Sequence, residues 1–185
     1  MSTDPPRRLI GIVGPPGVGK STLAARLAAD DPAAAVLPMD GFHLSQGRLR
    51  ELGRRERMGA QDTFDVEGFA RVLHELRSGA SVTAPSFDRT IEEPVSGAIT
   101  IAPGIRTVYV EGNYLLLWDG IADLLDETWY LELDQDVRRR RLLNRHVLNG
   151  KSPDAAAAWV DAVDEPNARL VAASAAKATR TLAVD

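Results

Sequence analysis

Blocks of apolar and polar positions follow one another along the chain with periods that predict alternating strands and helices. Residues 7–13 (RRLIGIV) predict a buried strand, and Lys20 to Ala29 predicts a helix that Asp30-Asp31-Pro32 ends. Ala35 to Met39 (AVLPM) predicts a second short strand, at an edge or an irregular place because its proline cannot donate to a ladder. Residues 44–63 are polar and arginine-rich, with Gly47, Gly53 and Gly59 spaced through them, and predict a mobile excursion with one helical turn. Val66 to Arg77 carries Val66, Phe69, Val72, Leu73 and Leu76 at helical spacing. Ser81 to Phe87 and Ala98 to Ala102 predict strands around a Pro/Glu/Gly connection, a small hairpin or flap. Buried strands follow at Thr107 to Val110 (TVYV) and Thr128 to Leu133 (TWYLEL). A strongly basic helix is expected over 136–147, further helices over 153–163 and 165–173, and a last strand over 179–184. This order implies an α/β layered fold with a mainly parallel sheet.

Composition narrows the classes. With 185 residues, 44% of them hydrophobic, one domain with an ordinary core is expected. A net charge of −4 argues against nucleic-acid binding by a broad basic surface. The absence of cysteine excludes disulfides, thiolate metal sites and a cysteine nucleophile, and is compatible with a cytoplasmic location. The opening MSTDPPRRLI does not read as a signal peptide, and no apolar run approaches the roughly 20 residues of a membrane span.

Gly14 to Thr22 (GPPGVGKST) matches the phosphate-cradle pattern G-x-x-x-x-G-K-[ST], between a predicted strand and a predicted helix. Gly14, Gly17 and Gly19 let successive backbone N–H groups turn inward, and the helix start, with Val18 and Thr22, adds partial positive charge. Lys20 is expected on the β/γ-phosphates, and the Ser21 hydroxyl on Mg²⁺. The cradle implies a nucleotide without choosing among GTPase, ATPase and kinase. Asp40 in MDGFHL lies just past the second strand, at the sheet end where the cradle opens, and there a carboxylate can accept the proton of an attacking hydroxyl. His43 is read as a wall of the substrate site. Glu111 ends TVYV, where an acid that holds Mg²⁺ directly or through water belongs. The GTPase motifs Asp-x-x-Gly and Asn-Lys-x-Asp are missing in that form. Arg138, Arg141 and Arg145 fall on one helix face in QDVRRRRLLNRHVLNGKS, with Leu142 and Leu143 as anchors; this predicts an arginine lid at about 135–155 that folds over phosphates.

Taken in order, GPPGVGKST, MDGFHL, RMGAQDTFDVEGF, APSFDR, VEGNYLLL and RLLNRHVLNGKS resemble the uridine kinase, pantothenate kinase and phosphoribulokinase group of P-loop kinases. The resemblance is nearest to a bacterial subgroup, some of whose members are called fructose-transport kinases. It runs over nearly the whole chain, so residues 1–185 are expected to form a single P-loop kinase domain. It implies a three-layer fold with a five-stranded parallel sheet of order 2-3-1-4-5, a flap and a lid. It also implies ATP, Mg²⁺ and transfer of the γ-phosphate to a small hydroxylated metabolite. By position it makes Asp40 the base, Glu111 the acid beside Mg²⁺, and Arg141 and Arg145 the lid arginines. Arg57, Phe64, Asp65 and Arg89 fall in acceptor-site segments, and Asn167 in a segment near the adenine. Where uridine kinases carry Asp-Ser-Phe-Tyr, this chain carries Asp-Gly-Phe-His, nearer the pantothenate kinase pattern. Nucleoside, sugar and pantothenate-like acceptors stay open, and a homodimer is admissible. A nucleotide-binding regulator that signals through the lid to a protein partner is the alternative.

Overall fold

The computed structural model describes residues 7–185; Met1 to Pro6, part of the stretch read against a signal peptide, lie outside the described residues. Five parallel strands form the central sheet: β1 (Arg8–Val13), β2 (Ala34–Pro38), β5 (Thr107–Gly112), β6 (Glu127–Glu132) and β7 (Arg180–Ala183), in the order β2-β5-β1-β6-β7. Numbered among themselves, these strands run 2-3-1-4-5, the expected order. β1 is central because it is apolar on both faces. Leu9 and Val13 pack into one core with Val108 and Val110, while Ile12 packs on the other face with Val18, Ala24 and Leu131. Pro38 closes β2 at the sheet edge, where its missing N–H costs no ladder bond.

Helix α1 (Lys20–Ala29) covers the second face, and α3 (Val66–Arg77) buries Phe69, Leu73 and Leu76 in the first core. A separate antiparallel hairpin, β3 (Val82–Asp88) and β4 (Glu93–Ile101), stands over the sheet end. β4 starts five residues before the expected Ala98: Pro94 pairs with Phe87 in a ribbon of only two strands, where an edge tolerates proline. The predicted excursion over 44–63 is pinned instead of open. Ser45 caps α2 (Gln46–Glu51), Gln46 and Leu49 are buried, and Arg54 bonds the Asp62 carbonyl at 2.8 Å.

Helix α4 (Gln135–Leu148) starts on an Asp134 cap. The two predicted C-terminal helices are one continuous rod: α5 (Pro153–Trp159), a π-turn over Val160–Asp164, and α6 (Glu165–Ala172). Pro166 cannot donate to the ladder, and the rod widens just before it, with Glu165 N–H returning to Val160 O. At the far end of β1 the buried Arg7 guanidinium donates to the carbonyls of Leu76, Gly79, Ala80, Ala102 and Ile105. No described helix is long and apolar enough to cross a membrane.

Candidate active site

The loop between β1 and α1 is shaped by what lies against it. Gly17 has φ +83°, and a Cβ there would meet Leu142 Cγ at 2.7 Å, so α4 presses directly on the loop. α1 begins at Gly19 with no side-chain cap and no acid in its first turn, which leaves its amides open for an anion. Lys20 folds back, Nζ donating to Gly14 O at 2.9 Å and Pro15 O at 3.1 Å. Burial brings its pKa down to about 8, against the pull of Glu111 and Asp40.

Strand ends bring the acids to the same place. β5 delivers Glu111, whose Oε1 accepts from Ser21 Oγ at 3.0 Å. Burial pushes the Glu111 carboxyl up and Asp40 adds to this, while Lys20 and the Ser21 hydroxyl oppose it. β2 delivers Asp40 in a single 3-10 turn, Met39–Phe42, where its Oδ2 takes a 2.6 Å charge-assisted hydrogen bond from Arg89 Nη2 of the hairpin tip. Gly41 lets that hairpin approach: a Cβ would lie 2.1 Å from Pro85 O.

These groups face a cavity of about 240 Å³, with His43, Phe64 and Arg145 in its wall. A wider groove of about 850 Å³ runs from Gly17–Thr22 past Arg26 and Arg141 to Ala183–Asp185. Arg145 and Arg89 border both spaces, and burial draws the Arg145 guanidinium below its ordinary pKa. Arg141 Nη2 donates to Asp185 O at 2.6 Å in the groove. Among the described residues no three His, Asp or Glu side chains are arranged to hold a metal. The Ser21 hydroxyl and Glu111 carboxylate form a two-oxygen set, which suits Mg²⁺ when phosphate oxygens and water complete the shell.

No family model matches the chain. Among curated proteins it is 41% identical over 133 residues to an ATP-dependent kinase-like protein of Aspergillus versicolor, covering 65% of this chain and 77% of that one. It is 37% identical over 160 residues to a Schizosaccharomyces pombe protein provisionally named uridine kinase, covering 78% and 68%. A crystal structure from Silicibacter sp. TM1040, provisionally named a fructose transport system kinase, superposes with a TM-score of 0.90 at 38% identity, over 98% of this chain and 92% of that one. The chain belongs to the P-loop kinases.

Within this P-loop kinase, three residues expected at ligands stand elsewhere. Arg57 is held bidentately by Asp62, both contacts at 2.6 Å, and is not in the cavity wall; Arg55, tied to Glu92 at 2.7 Å, is there instead. Asp65 caps α3, accepting from Gly68 N at 2.9 Å. Asn167 lies in the wall of the 240 Å³ cavity, Nδ2 at 3.5 Å from Gly59 O, and not in the groove beside Thr22 and Arg141. The first of the three arginines expected on one face of α4, Arg138, is buried as a prop: it donates to Pro16 O at 3.2 Å and to Glu165 at 2.6 Å. Asn113, Trp159 and a His146–Asp164 pair (2.7 Å) also line the cavity without having been singled out in the sequence.

Proposed function

We propose that this P-loop kinase transfers the γ-phosphate of ATP to a hydroxyl of a small metabolite. The observation that carries the reading is the convergence of the cradle Lys20, the Ser21–Glu111 pair and the Asp40 carboxylate on one cavity large enough for an acceptor. The adenosine part of ATP lies in the groove between Thr22, Arg141 and Ala183–Asp185. The triphosphate enters the glycine loop, where Lys20 exchanges two backbone carbonyls for phosphate oxygens. Ser21 and Glu111 would hold Mg²⁺, which would supply neutralisation of the phosphate charge.

Asp40 receives the acceptor hydroxyl, orients it and takes its proton as the new O–P bond forms and the bond from γ-phosphorus to the bridging oxygen breaks, releasing ADP. Arg145, which borders both spaces, stabilises the charge on the phosphoryl group in flight. Positioning and electrostatics supply nearly all of the acceleration in such a scheme.

The names of relatives point to different acceptors, a nucleoside for the yeast protein and a sugar for the Silicibacter protein. The test is ATP consumption with Mg²⁺ against nucleosides, pantothenate, D-glycerate and sugars, with Asp40→Asn alongside. Turnover with one acceptor, reduced by about 10²-fold or more in the variant with nucleotide affinity kept, is the expected result. Slow, acceptor-independent hydrolysis in both proteins would refute the reading and favour a nucleotide-dependent regulator.

A further inference from the structure

One wall of the acceptor cavity carries hydrogen-bonding groups that phosphate transfer does not use. His43 follows the 3-10 turn Met39–Phe42, three residues after Asp40. Side chains three apart in such a turn eclipse, so Asp40 and His43 rise on the same side, and both line the cavity. The His43 ring is wedged between Phe64 and Phe87, with centroids 4.0 Å and 4.6 Å away. Its Nδ1 lies 2.8 Å from the Asp40 backbone oxygen. A carbonyl only accepts, so Nδ1 carries the proton of that bond.

Burial holds the ring below its ordinary pKa, with Arg89 acting in the same direction and Asp40 and Glu92 opposing. Near neutral pH the ring is therefore an uncharged imidazole of fixed tautomer, and Nε2 presents a lone pair with no hydrogen-bond partner among the described residues. Beside it, Asp40 gives only Oδ2 to Arg89, which leaves Oδ1 as a second acceptor. Further round the wall, Asp164 receives His146 on Oδ2 and keeps Oδ1 open.

Adjacent acceptors select a molecule with adjacent donors. We propose that the phosphate acceptor is a compact polyol, whose reacting hydroxyl sits on Asp40 while a neighbouring hydroxyl donates to His43 Nε2. This rests on the kinase reading above and makes His43 the residue that reads the neighbouring group. A carboxylate, phosphate or ether oxygen at that place would face a lone pair. The cavity, about 240 Å³, is a small space that favours a compact acceptor.

The test uses full-length protein with Mg-ATP and D-glycerate, D-ribose, D-fructose, uridine and pantothenate. The phosphorylated position is read by ³¹P NMR, and the analogue lacking the neighbouring hydroxyl is then compared in wild type, His43→Phe and His43→Gln. Phe keeps the aromatic wedge without Nε2, and Gln returns an acceptor near its place. In wild type, loss of the neighbouring hydroxyl should lower kcat/KM about tenfold or more. His43→Phe should show a similar loss with the polyol, mainly through KM, and no longer distinguish the analogue; His43→Gln should recover part of the difference. Equal kcat/KM for acceptor and analogue in wild type, or unchanged discrimination in a folded His43→Phe, overturns the assignment and leaves the kinase reading intact. If wild type binds ATP but phosphorylates no acceptor, both fail.

Discussion

Replacing Gly41 by alanine tests whether the Asp40 turn and the hairpin that covers it are built as one unit. A Cβ at Gly41 would lie 2.1 Å from Pro85 O and 2.7 Å from Pro85 C, both backbone atoms with no rotamer to relieve them. Ordinary van der Waals contact begins at 3.4 Å, so the turn and β3 must part by about 1.3 Å (3.4 − 2.1). That displacement falls on the two elements that carry Asp40 and Arg89, which meet at 2.6 Å. Overpacking of this kind costs about 1–3 kcal/mol. At about 2–4 °C per kcal/mol for a chain of this size, Tm should fall by about 2–12 °C in differential scanning calorimetry. A misplacement of about 1 Å near the reacting atoms costs on the order of 10²-fold in turnover, so activity should fall along with stability. Nucleotide affinity, set by the cradle on the other side of β5, should change less than about threefold. A Gly41→Ala protein with unaltered Tm and turnover would refute the close approach and the coupling derived from it.

Three further outcomes follow from the site and the fold. Lys20 titrates near pH 8 when folded and at 10.5 when free, so the unfolded chain binds more protons between those values and stability should rise with pH there. Nucleotide-free Lys20→Met should therefore be more stable than wild type at pH 7, by up to about 3 kcal/mol, with the gap closing from pH 8 to 10.5; denaturant unfolding across that range checks the sign. Glu111→Gln should raise the Mg²⁺ concentration for half-maximal activity about 10–100-fold while metal-free nucleotide binding, followed by fluorescence, stays. Arg7→Met leaves several buried carbonyls without their donor and should cost about 3–5 kcal/mol in chemical unfolding, with little effect on KM of the surviving fold.

The parts of the site that lie at the ends of regular elements were legible from the sequence. An apolar run, a glycine pattern and a helical stretch locate Lys20 and Ser21, and Asp40 and Glu111 follow because a parallel sheet gathers the ends of its strands. The parts on irregular backbone were not. Between Arg54 and Phe64 no period tells which arginine turns inward, and the structure turns Arg55, not Arg57. Asp65 directly precedes a helical run, the place of an N-cap, and it accepts from Gly68 N there. The His146–Asp164 pair joins two elements 18 residues apart through a π-turn, a geometry without a repeat to count; only Pro166 hinted at it. Arg138 was grouped with Arg141 and Arg145 by helical spacing, which gives a face but not the buried carboxylate of Glu165 that claims it.

The strand order has a consequence for how the protein is made. β1 pairs with β5 and β6 alone, so every ladder partner of its six residues is encoded about a hundred positions later, Arg8 with Thr107 and Ile10 with Glu127. At about 5–20 residues per second, the ribosome needs about 5–20 s to deliver the first of them. Once it has left the exit tunnel, LIGIV stays an apolar segment without its ladder partners until they are made, open to chaperones and to its own neighbours. The glycine loop that follows it is synthesised before either of the two strands that flank β1.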